Sequence, residues 1–197
     1  MILSFHPLFT ADKNIVCAGR PPGLEELGEI RAADAVILPQ GCRRSLYEMA
    51  RNNCPLVFPN FDARFDYPNK IGQIRLFQNT GVLFPASEIF TDSNSFRHRY
   101  RRIPEDLPFT FPFVLKFDWG GEGETVHLIE STGQLEEVIL TAAGFERTGQ
   151  KGFLIQEFIP ALNRTLRVIV IGFKFISYWR VQRRNDIFLA NLTKGAE

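Results

Sequence analysis

Short apolar runs alternate with helical segments in the first third of the chain. Four apolar runs predict strands: Met1–Phe5, Ile15–Cys17, Ala35–Leu38 and Leu56–Phe58. The segments between them predict two helices: Gly23–Ala33, which opens after two prolines, and Arg43–Asn52. Strands that alternate with helices at this spacing are typical of a doubly wound parallel sheet. We therefore predict a Rossmann-like α/β unit over residues 1–90.

The middle of the chain predicts a helix and then a boundary. Apolar residues recur at helical spacing over Asn69–Asn79, and Gly81 is placed to end that helix. Thr91–Pro112 is polar and contains the basic run Arg97–Arg102. We interpret this stretch as a solvated helix or a linker. The alternative is a phosphate or nucleic-acid patch, for which one cluster without aromatic residues at stacking spacing is weak support.

The remainder of the chain predicts strands joined mainly by loops. Five strands are expected: Phe113–Lys116, Thr125–Glu130, Gly152–Ile159, Leu166–Ile171 and Lys174–Gln182. A helix is expected over Ser131–Glu146 because Ser131 can cap its start. The last two strands are separated only by Gly172 and Phe173, which predicts a hairpin. The changed pattern predicts a small α+β lobe over residues 91–158.

Composition narrows the class of protein. Of the 197 residues, 45% are hydrophobic and 23% charged, which excludes a disordered, collagen-like or disulfide-rich chain. No apolar run is long enough for a membrane span, and the start does not resemble a signal peptide. Three cysteines without CxxC spacing predict a reduced, cytoplasmic protein with buried thiols.

Charge is unevenly distributed along the chain. The net charge is +1, yet residues 158–197 carry seven Lys or Arg and only two acidic residues. A neutral protein with a basic end favours a local anionic ligand over a nucleic acid that wraps the whole protein.

A lysine followed by three glycines is the first candidate site. Lys116 ends an apolar strand, Gly120, Gly121 and Gly123 follow, and a second strand begins at once. Glycine lets a backbone take positive φ and approach phosphate oxygens without an intervening Cβ. The loop can therefore form a flap over phosphates, with the Lys116 ammonium as a point charge. The alternative is a tight hairpin with a structural lysine.

Two further segments carry candidate residues. The strand that ends in Gln156, Glu157, Phe158 and Ile159 can offer one backbone N–H and one C=O to a purine edge, or it is an ordinary strand. Arg167 and Arg180 lie on hairpin partners, where two guanidinium groups can hold a γ-phosphate or an acyl-phosphate. The alternative is that both arginines are ordinary surface residues.

These units, in this order, resemble the ATP-grasp superfamily. The similar branch contains the glutathione-synthetase-like and ribosomal-protein glutamate-ligase-like carboxylate–amine ligases. The segments that carry the resemblance are FPFVLKFDWGGEGETV, LIQEFIP, NRTLRVIVIGFKFISYWR and LANLTKG. The helix in PNKIGQIRLFQNTGVLFPAS resembles the segment that joins the family's N-terminal domain to its nucleotide-binding domain. The match covers roughly Asn69 to Gly195.

The resemblance implies an ATP-dependent ligase that converts a carboxylate to an acyl-phosphate and passes it to an amine. The implied phosphate contacts are Lys70, Lys116 and the flap glycines Gly120, Gly121 and Gly123. The implied adenine contacts are Glu157 and Ile159, beside Gln156 and Phe158. The implied catalytic residues are Arg167, Arg180 and, in LANLTKG, Asn191.

One departure from the family concerns the metal. The resemblance implies Mg²⁺ for a full-length enzyme, held by Asp, Glu and Asn residues on later strands. This chain stops at Glu197, and we identify no metal ligand in it. We therefore expect an incomplete nucleotide-binding domain, with residues 159–197 as the start of its large lobe, and no turnover by this chain alone. The chain is then a fragment of a longer ligase or a naturally short relative.

Two other functions stay open at this point. One is a non-catalytic nucleotide-binding or regulatory module, and the other is a nucleic-acid-associated protein. We expect no membrane partner. Without later strands, Leu166–Ile171 should expose an apolar face, which would favour a homodimer. The sequence does not name the carboxylate or the amine.

Overall fold

The first unit of the chain, Met1–Asp66, is built on a parallel sheet. Its strands are β1 (Ile2–Ser4), β2 (Lys13–Asn14), β3 (Ala35–Ile37) and β4 (Leu56–Phe58), in the order β2-β1-β3-β4. Its helices are α1 (Leu24–Ala32), α2 (Arg44–Asn53) and α3 (Asp62–Asp66). Every neighbouring pair of strands is parallel, as predicted. The structure is a computed structural model that describes residues 1–121, 123–160 and 164–183.

The core of the first unit lies between the sheet and its helices. Leu3 and Val36, on the two central strands, are fully buried and pack with Ile30 of α1 and Leu46 of α2 in one apolar cluster. Burying a side chain of this size contributes about 1.5–3 kcal/mol. The apolar alternation that predicted the strands is therefore what holds the unit together.

The cysteines belong to the same core. All three are free and buried, which confirms the prediction of buried thiols. Burial raises the pKa of the Cys17 and Cys42 thiols. A raised pKa keeps these thiols protonated, whereas the thiolate is the reactive form. The cysteine side chains therefore pack as small apolar groups.

The prediction of a strand at Ile15–Cys17 is wrong. The strand β2 lies just before this segment, and only the Ile15 N–H continues the pairing, to the Ser4 carbonyl at 2.9 Å. The chain then turns away through Ala18 and Gly19, whose φ values of +48° and +79° are left-handed. Two consecutive left-handed residues cannot extend a strand.

Glu26 holds the start of α1. Its Oε2 accepts a hydrogen bond from the Gly23 N–H at 2.7 Å, and its Oε1 accepts one from the Arg20 guanidinium. The Arg20 hydrogen bond, followed by the Gly23 bond, lowers the pKa of Glu26 to about 2. The carboxylate is thus stabilised in its charged form.

We expect Glu26→Gln to lower the free energy of unfolding of the first unit at neutral pH. A carboxyl whose pKa is lower in the folded chain stabilises the fold above the unfolded pKa of about 4.3, and that contribution disappears as pH falls towards the folded value. Urea unfolding between pH 7 and pH 2.5 measures it: the native chain should lose stability below about pH 4.3, and the variant should lose less. Glu25→Gln, on the exposed side of the same helix, is the control. Equal pH profiles for native chain and Glu26→Gln would contradict the assignment.

The second unit, Tyr67–Glu197, contains an antiparallel sheet and a separate hairpin. The sheet strands are β5 (Ser87–Phe90), β6 (Phe113–Phe117), β7 (Val126–Ile129) and β8 (Phe153–Glu157), in the order β5-β8-β6-β7. The helices are α4 (Asn69–Thr80), α5 (Ser93–Arg99) and α6 (Thr132–Glu146). The hairpin strands are β9 (Arg164–Ile171) and β10 (Lys174–Val181). A parallel sheet followed by antiparallel sheets confirms the predicted mixed α/β (α+β) fold class.

The two faces of the four-stranded sheet differ in character. One face carries Phe113 and Leu115, which are fully buried and pack with Leu135 of α6 in a second apolar cluster. Successive strand residues point to opposite faces. Lys116 on β6 and Gln156, diagonally across from it on β8, therefore lie on the other face. This second face carries the polar residues of interest.

The division of the chain differs from the predicted one. The first unit ends at Asp66, whereas we predicted an end near residue 90. The reason is β5, which pairs with β8 and so ties the segment before residue 91 to the second unit. The assignment of residues 91–158 and 159–197 to two lobes stays a prediction. Residues 161–163 and 184–197 lie outside the described part of the chain.

The basic run begins in α5, in agreement with the helix-or-linker interpretation. Two of its arginines are ion-paired: Arg99 with Glu88 at 2.9 Å and Arg102 with Asp106 at 3.1 Å. These carboxylates reduce the local positive charge, which weakens the case for a nucleic-acid patch at this position.

The predicted hairpin near the end of the described chain is confirmed. The strands β9 and β10 pair antiparallel over their full length, and Gly172 turns the chain with a φ of +58°. Leu166, Val168 and Val170 are exposed, as expected for the apolar face. Within the described residues, no helix has both the length and the apolar character that a membrane crossing requires.

Candidate functional site

The helix α4 positions Lys70 in its first turn and two apolar side chains farther along. Its end follows the predicted rule: Gly81 has a left-handed φ of +68°, and its N–H donates to the Phe77 carbonyl at 3.0 Å. Ile74 and Phe77, one turn apart, face the same side of the helix. This side of α4 forms one wall of a cavity.

The glycine loop joins β6 to β7 as a hairpin, as predicted, and not as a helix. Gly120 and Gly123 have left-handed φ values of +77° and +82°. A Cβ added at Gly120 would lie 2.6 Å from the Thr125 side chain, so only glycine fits there. Among the described residues, the N–H groups of Gly120, Gly121 and Gly123 donate no hydrogen bond. As far as the described residues show, the loop therefore offers three backbone donors without an acceptor.

Lys70 ties the start of α4 to the glycine loop. Its Nζ donates to the Trp119 carbonyl at 2.7 Å, to the Gly120 carbonyl at 3.0 Å and to the Thr125 hydroxyl at 3.1 Å. An ammonium group has three N–H donors, so this set uses all of them. Lys70 thus holds both stems of the loop.

Asp118 makes a second link between the loop and α4. Its Oδ1 accepts from the Ile71 N–H at 2.7 Å, and its Oδ2 accepts from the Asn69 side chain at 3.4 Å. The first N–H groups of a helix have no partner within the helix. Here the Asp118 carboxylate, from a distant part of the chain, supplies an acceptor for one of them. The sequence analysis missed this residue because no local pattern marks a cap supplied 47 residues away.

Lys116 is held by side chains of the neighbouring strands. Its Nζ donates to Gln156 Oε1 at 2.6 Å, and Gln156 Nε2 donates in turn to the Ser87 hydroxyl at 2.7 Å. The Ser87 hydroxyl donates to the Pro85 carbonyl at 2.7 Å. The sequence analysis missed Ser87 because the four-residue strand β5 was not predicted.

A cavity of about 370 Å³ brings several of these groups together. Lys70, Lys116, Gly123 and Gln156, all singled out from the sequence, lie in its lining. Its volume falls within the range of about 300–1,000 Å³ that is usual for small-molecule sites. Four of the nine predicted cofactor contacts therefore lie around one space.

The rest of the lining is largely apolar. Ile74 and Phe77 contribute from α4, and Val126 and Leu154 contribute from the sheet. The helical spacing of apolar residues such as Ile74 and Phe77 predicted the helix, but not that its apolar face lines a cavity. Flat apolar walls beside a few polar groups suit a ring system that carries charge at one end.

The electrostatics of the cavity favour an anion. Burial lowers the pKa of both Lys70 and Lys116, and the nearby Lys70 charge lowers that of Lys116 further. The negative charge of Asp118 raises the pKa of Lys70 and so opposes the effect of burial. Within the described residues, neither ammonium group forms an ion pair with a carboxylate. Two adjacent cations without a paired carboxylate are stabilised by a bound anion.

The donor set around this cavity fits a nucleoside triphosphate. Lys70, Lys116 and Gly123 line the cavity, and Gly120 and Gly121 lie in the adjoining loop, so ammonium and backbone N–H donors can meet phosphate oxygens while the apolar walls hold a base. The described residues contain no group of three or more His, Cys, Asp or Glu side chains that could hold a metal ion.

Three predicted adenine contacts do not line this cavity. The Glu157 N–H donates to the Ala86 carbonyl at 2.9 Å, and the Glu157 side chain is exposed. Ile159 is also exposed, and Phe158 lies between them, just after β8 ends. Their contact with a nucleotide stays a prediction.

The two predicted catalytic arginines lie on one face of the hairpin. Arg167 pairs with Tyr178, and Arg180 pairs with Thr165, which places both guanidinium groups on the same side and one diagonal step apart. Arg180 Nε is buried and has no hydrogen-bond partner within the described residues. Neither arginine lines the cavity. Asn191 lies outside the described residues.

Comparisons with known proteins identify a family for this chain. The family model described as a RimK-like ATP-grasp domain matches residues 68–197. A search of curated proteins finds no match.

Solved structures share the fold at low sequence identity. They include the D-alanine–D-alanine ligase from Helicobacter pylori, with a TM-score of 0.51 and 19% identity over 77% of this chain and 47% of that one. The carboxyaminoimidazole ribonucleotide synthase from Aspergillus clavatus, complexed with ATP, has a TM-score of 0.59 and 13% identity over 92% and 47%. A RimK domain ATP-grasp protein from Sphaerobacter thermophilus has a TM-score of 0.51 and 16% identity over 85% and 68%.

The present chain spans about half the length of the first two of these proteins. Identities this low support the shared fold alone. The family model, in contrast, matches more than half of the chain and includes every described residue of the cavity. This chain belongs to the RimK-like ATP-grasp family.

Proposed function

We propose that this chain binds ATP between α4 and the antiparallel sheet, as the ATP-binding part of a ligase that joins a carboxylate to an amine. The observation that carries the proposal is the pair of half-buried ammonium groups, Lys70 and Lys116, in one cavity beside the glycine loop. Family membership supports the same reading.

The residues of the cavity have separate tasks in this proposal. Lys116 and the loop N–H groups bind and orient the phosphates, and Lys70 joins them by exchanging its loop acceptors for phosphate oxygens. Ile74 and Leu154 enclose the base and exclude water from it. Positioned positive charge stabilises the charge that develops on a transferring phosphoryl group.

The proposed reaction has two steps. A substrate carboxylate oxygen attacks the γ-phosphorus of ATP, forming an acyl-phosphate as ADP leaves. The amine then attacks the acyl carbon, losing a proton as phosphate departs. Arg167 and Arg180 are assigned to the acyl-phosphate because they share one face of the hairpin. The buried Arg180 Nε, unpaired within the described residues, supports an anionic partner there.

Free, buried thiols support a reducing compartment, and we assign the protein to the cytoplasm.

Calorimetric titration of the full chain with ATP tests the proposal. We expect saturable binding that weakens less than about tenfold between 50 and 200 mM KCl, because the contacts are few and partly buried. Binding to a nucleic acid through many phosphate contacts should instead weaken about 10³- to 10⁵-fold over the same range. ADP formation that requires both a carboxylate and an amine would separate a ligase from a binding module.

The matched control removes positive charge outside the cavity. Arg97→Gln/Arg101→Gln neutralises two exposed arginines of the basic run and should leave ATP affinity unchanged. Absence of ATP binding would contradict the proposal. An oligonucleotide affinity that the control variant abolishes would favour the nucleic-acid alternative.

A further inference from the structure

A series of three hydrogen bonds links the cavity to β5, and in each bond the donor and the acceptor can be assigned in only one way. Ser87 on β5 and Gln156 on β8 face each other in the strand register. The chain runs from Lys116 Nζ to Gln156 Oε1 at 2.6 Å, from Gln156 Nε2 to Ser87 Oγ at 2.7 Å, and from Ser87 Oγ to the Pro85 carbonyl at 2.7 Å.

Both ends of this chain fix the orientation of the Gln156 amide. A backbone carbonyl only accepts, so the Ser87 hydrogen is committed to Pro85 and its oxygen must accept from Gln156. An ammonium only donates, so Lys116 requires an oxygen from the same amide. If the amide were rotated by half a turn, its N–H groups would face the Lys116 ammonium, donor against donor. Its oxygen would face the Ser87 oxygen, acceptor against acceptor. Gln156 is only 7% exposed, so water cannot readily repair those contacts.

The orientation decides what the amide presents to a ligand. Lys116 and Gln156 line the cavity, and Ser87 does not. Because Lys116 also lines the cavity, an amide oxygen held on its side is placed to face the cavity, while the amide nitrogen is turned to β5. An oxygen can accept from a 6-amino group of a purine, and it repels a 6-oxo group.

We infer that Ser87 is a positioning residue that sets the base preference of the cavity, by holding Gln156 with its oxygen towards the ligand. The ligand class is a purine nucleotide with a 6-amino group, favoured over the 6-oxo analogue. The inference rests on the proposed ATP site and adds the residue that makes the site selective. Without Ser87, Lys116 alone opposes rotation of the amide, so the turned state, in which the nitrogen can donate to a 6-oxo group, becomes less unfavourable.

The test compares ATP with inosine triphosphate, which differs in the 6-substituent, by calorimetric titration of the full chain. We expect the native chain to prefer ATP by on the order of tenfold. Ser87→Ala should reduce this preference measurably, chiefly through tighter inosine triphosphate binding, because Lys116 alone then orients the amide. Ser87→Thr keeps the hydroxyl and should retain the preference. A purely structural role would weaken both nucleotides equally and leave their ratio unchanged.

A second background separates positioning from any direct effect of Ser87. Gln156→Glu presents a carboxylate oxygen in either rotation, so the variant should prefer ATP whether or not Ser87 is present. Adding Ser87→Ala to it should leave the ratio unchanged. An altered ratio in that background, or an unaltered one for Ser87→Ala alone, would overturn the inference. Failure of the native chain to bind ATP would overturn the proposed function as well.

Discussion

Methionine in place of Lys116 is expected to weaken ATP binding about 10- to 100-fold, the usual range for losing a hydrogen bond to a charged group. The variant keeps the length and apolar character of the side chain but removes the ammonium group. Its stability should change little, because two effects oppose each other. Gln156 Oε1 loses its donor, while a half-buried cation beside Lys70 disappears. We expect the free energy of unfolding to change by less than about 1 kcal/mol.

Calorimetry with ATP and urea unfolding of the same preparation measure the two quantities together. Lys151→Met, at an exposed position of the same unit outside the cavity, is the matched control and should alter neither. If Lys116→Met instead lost stability and kept its ATP affinity, Lys116 would be a structural residue of the sheet.

Alanine in place of Gly72 is expected to destabilise the second unit by about 2–3 kcal/mol, near the upper range for overpacking. In an ordinary helix interior, replacing glycine with alanine stabilises the folded protein by about 1 kcal/mol. Here an added Cβ would lie 2.3 Å from the Tyr67 carbonyl carbon and 2.5 Å from its oxygen. These are backbone atoms of the segment that enters α4, so no side-chain rotation can relieve the contact.

Urea unfolding of the native chain and variants measures this effect. Gly144→Ala in α6 is the matched control, because a Cβ there meets nothing within 4 Å. It should stabilise the unit by up to about 1 kcal/mol. A Gly72→Ala variant as stable as Gly144→Ala would show that the entry to α4 adjusts freely. A shifted α4 would also move Lys70 from the loop, so we expect Gly72→Ala to weaken ATP binding.

Features specified by neighbouring residues could be predicted from the sequence. The Ser131 hydroxyl accepts from the Gln134 N–H at 3.3 Å and begins α6 where its capping pattern indicated. The glycine loop lies between two antiparallel strands because Lys116 ends one apolar run and Val126 begins the next. In each case the signal and the structure it specifies lie within a few residues of each other.

Features that depend on distant pairing could not be predicted in this way. Ser87 contacts Gln156 across 69 residues, and nothing near Ser87 distinguishes a strand of four residues from a loop. The end of the first unit was misplaced for the same reason, since β5 joins the second sheet through that pairing. Lys70 was identified through the family resemblance, but its three contacts with the loop came only from the structure.

The ring of Trp119 makes the loop observable without a label. It stacks on Phe117 at 4.9 Å between centroids, while its own carbonyl accepts from Lys70. The chain has two tryptophans, and the other, Trp179, is half exposed beside Arg164 on the hairpin. Trp179→Phe would therefore leave a single indole at the base of the glycine loop. Its intrinsic fluorescence would report the exchange of Lys70 from loop carbonyls to phosphates in real time, separating the rate of loop rearrangement from the affinity for nucleotide.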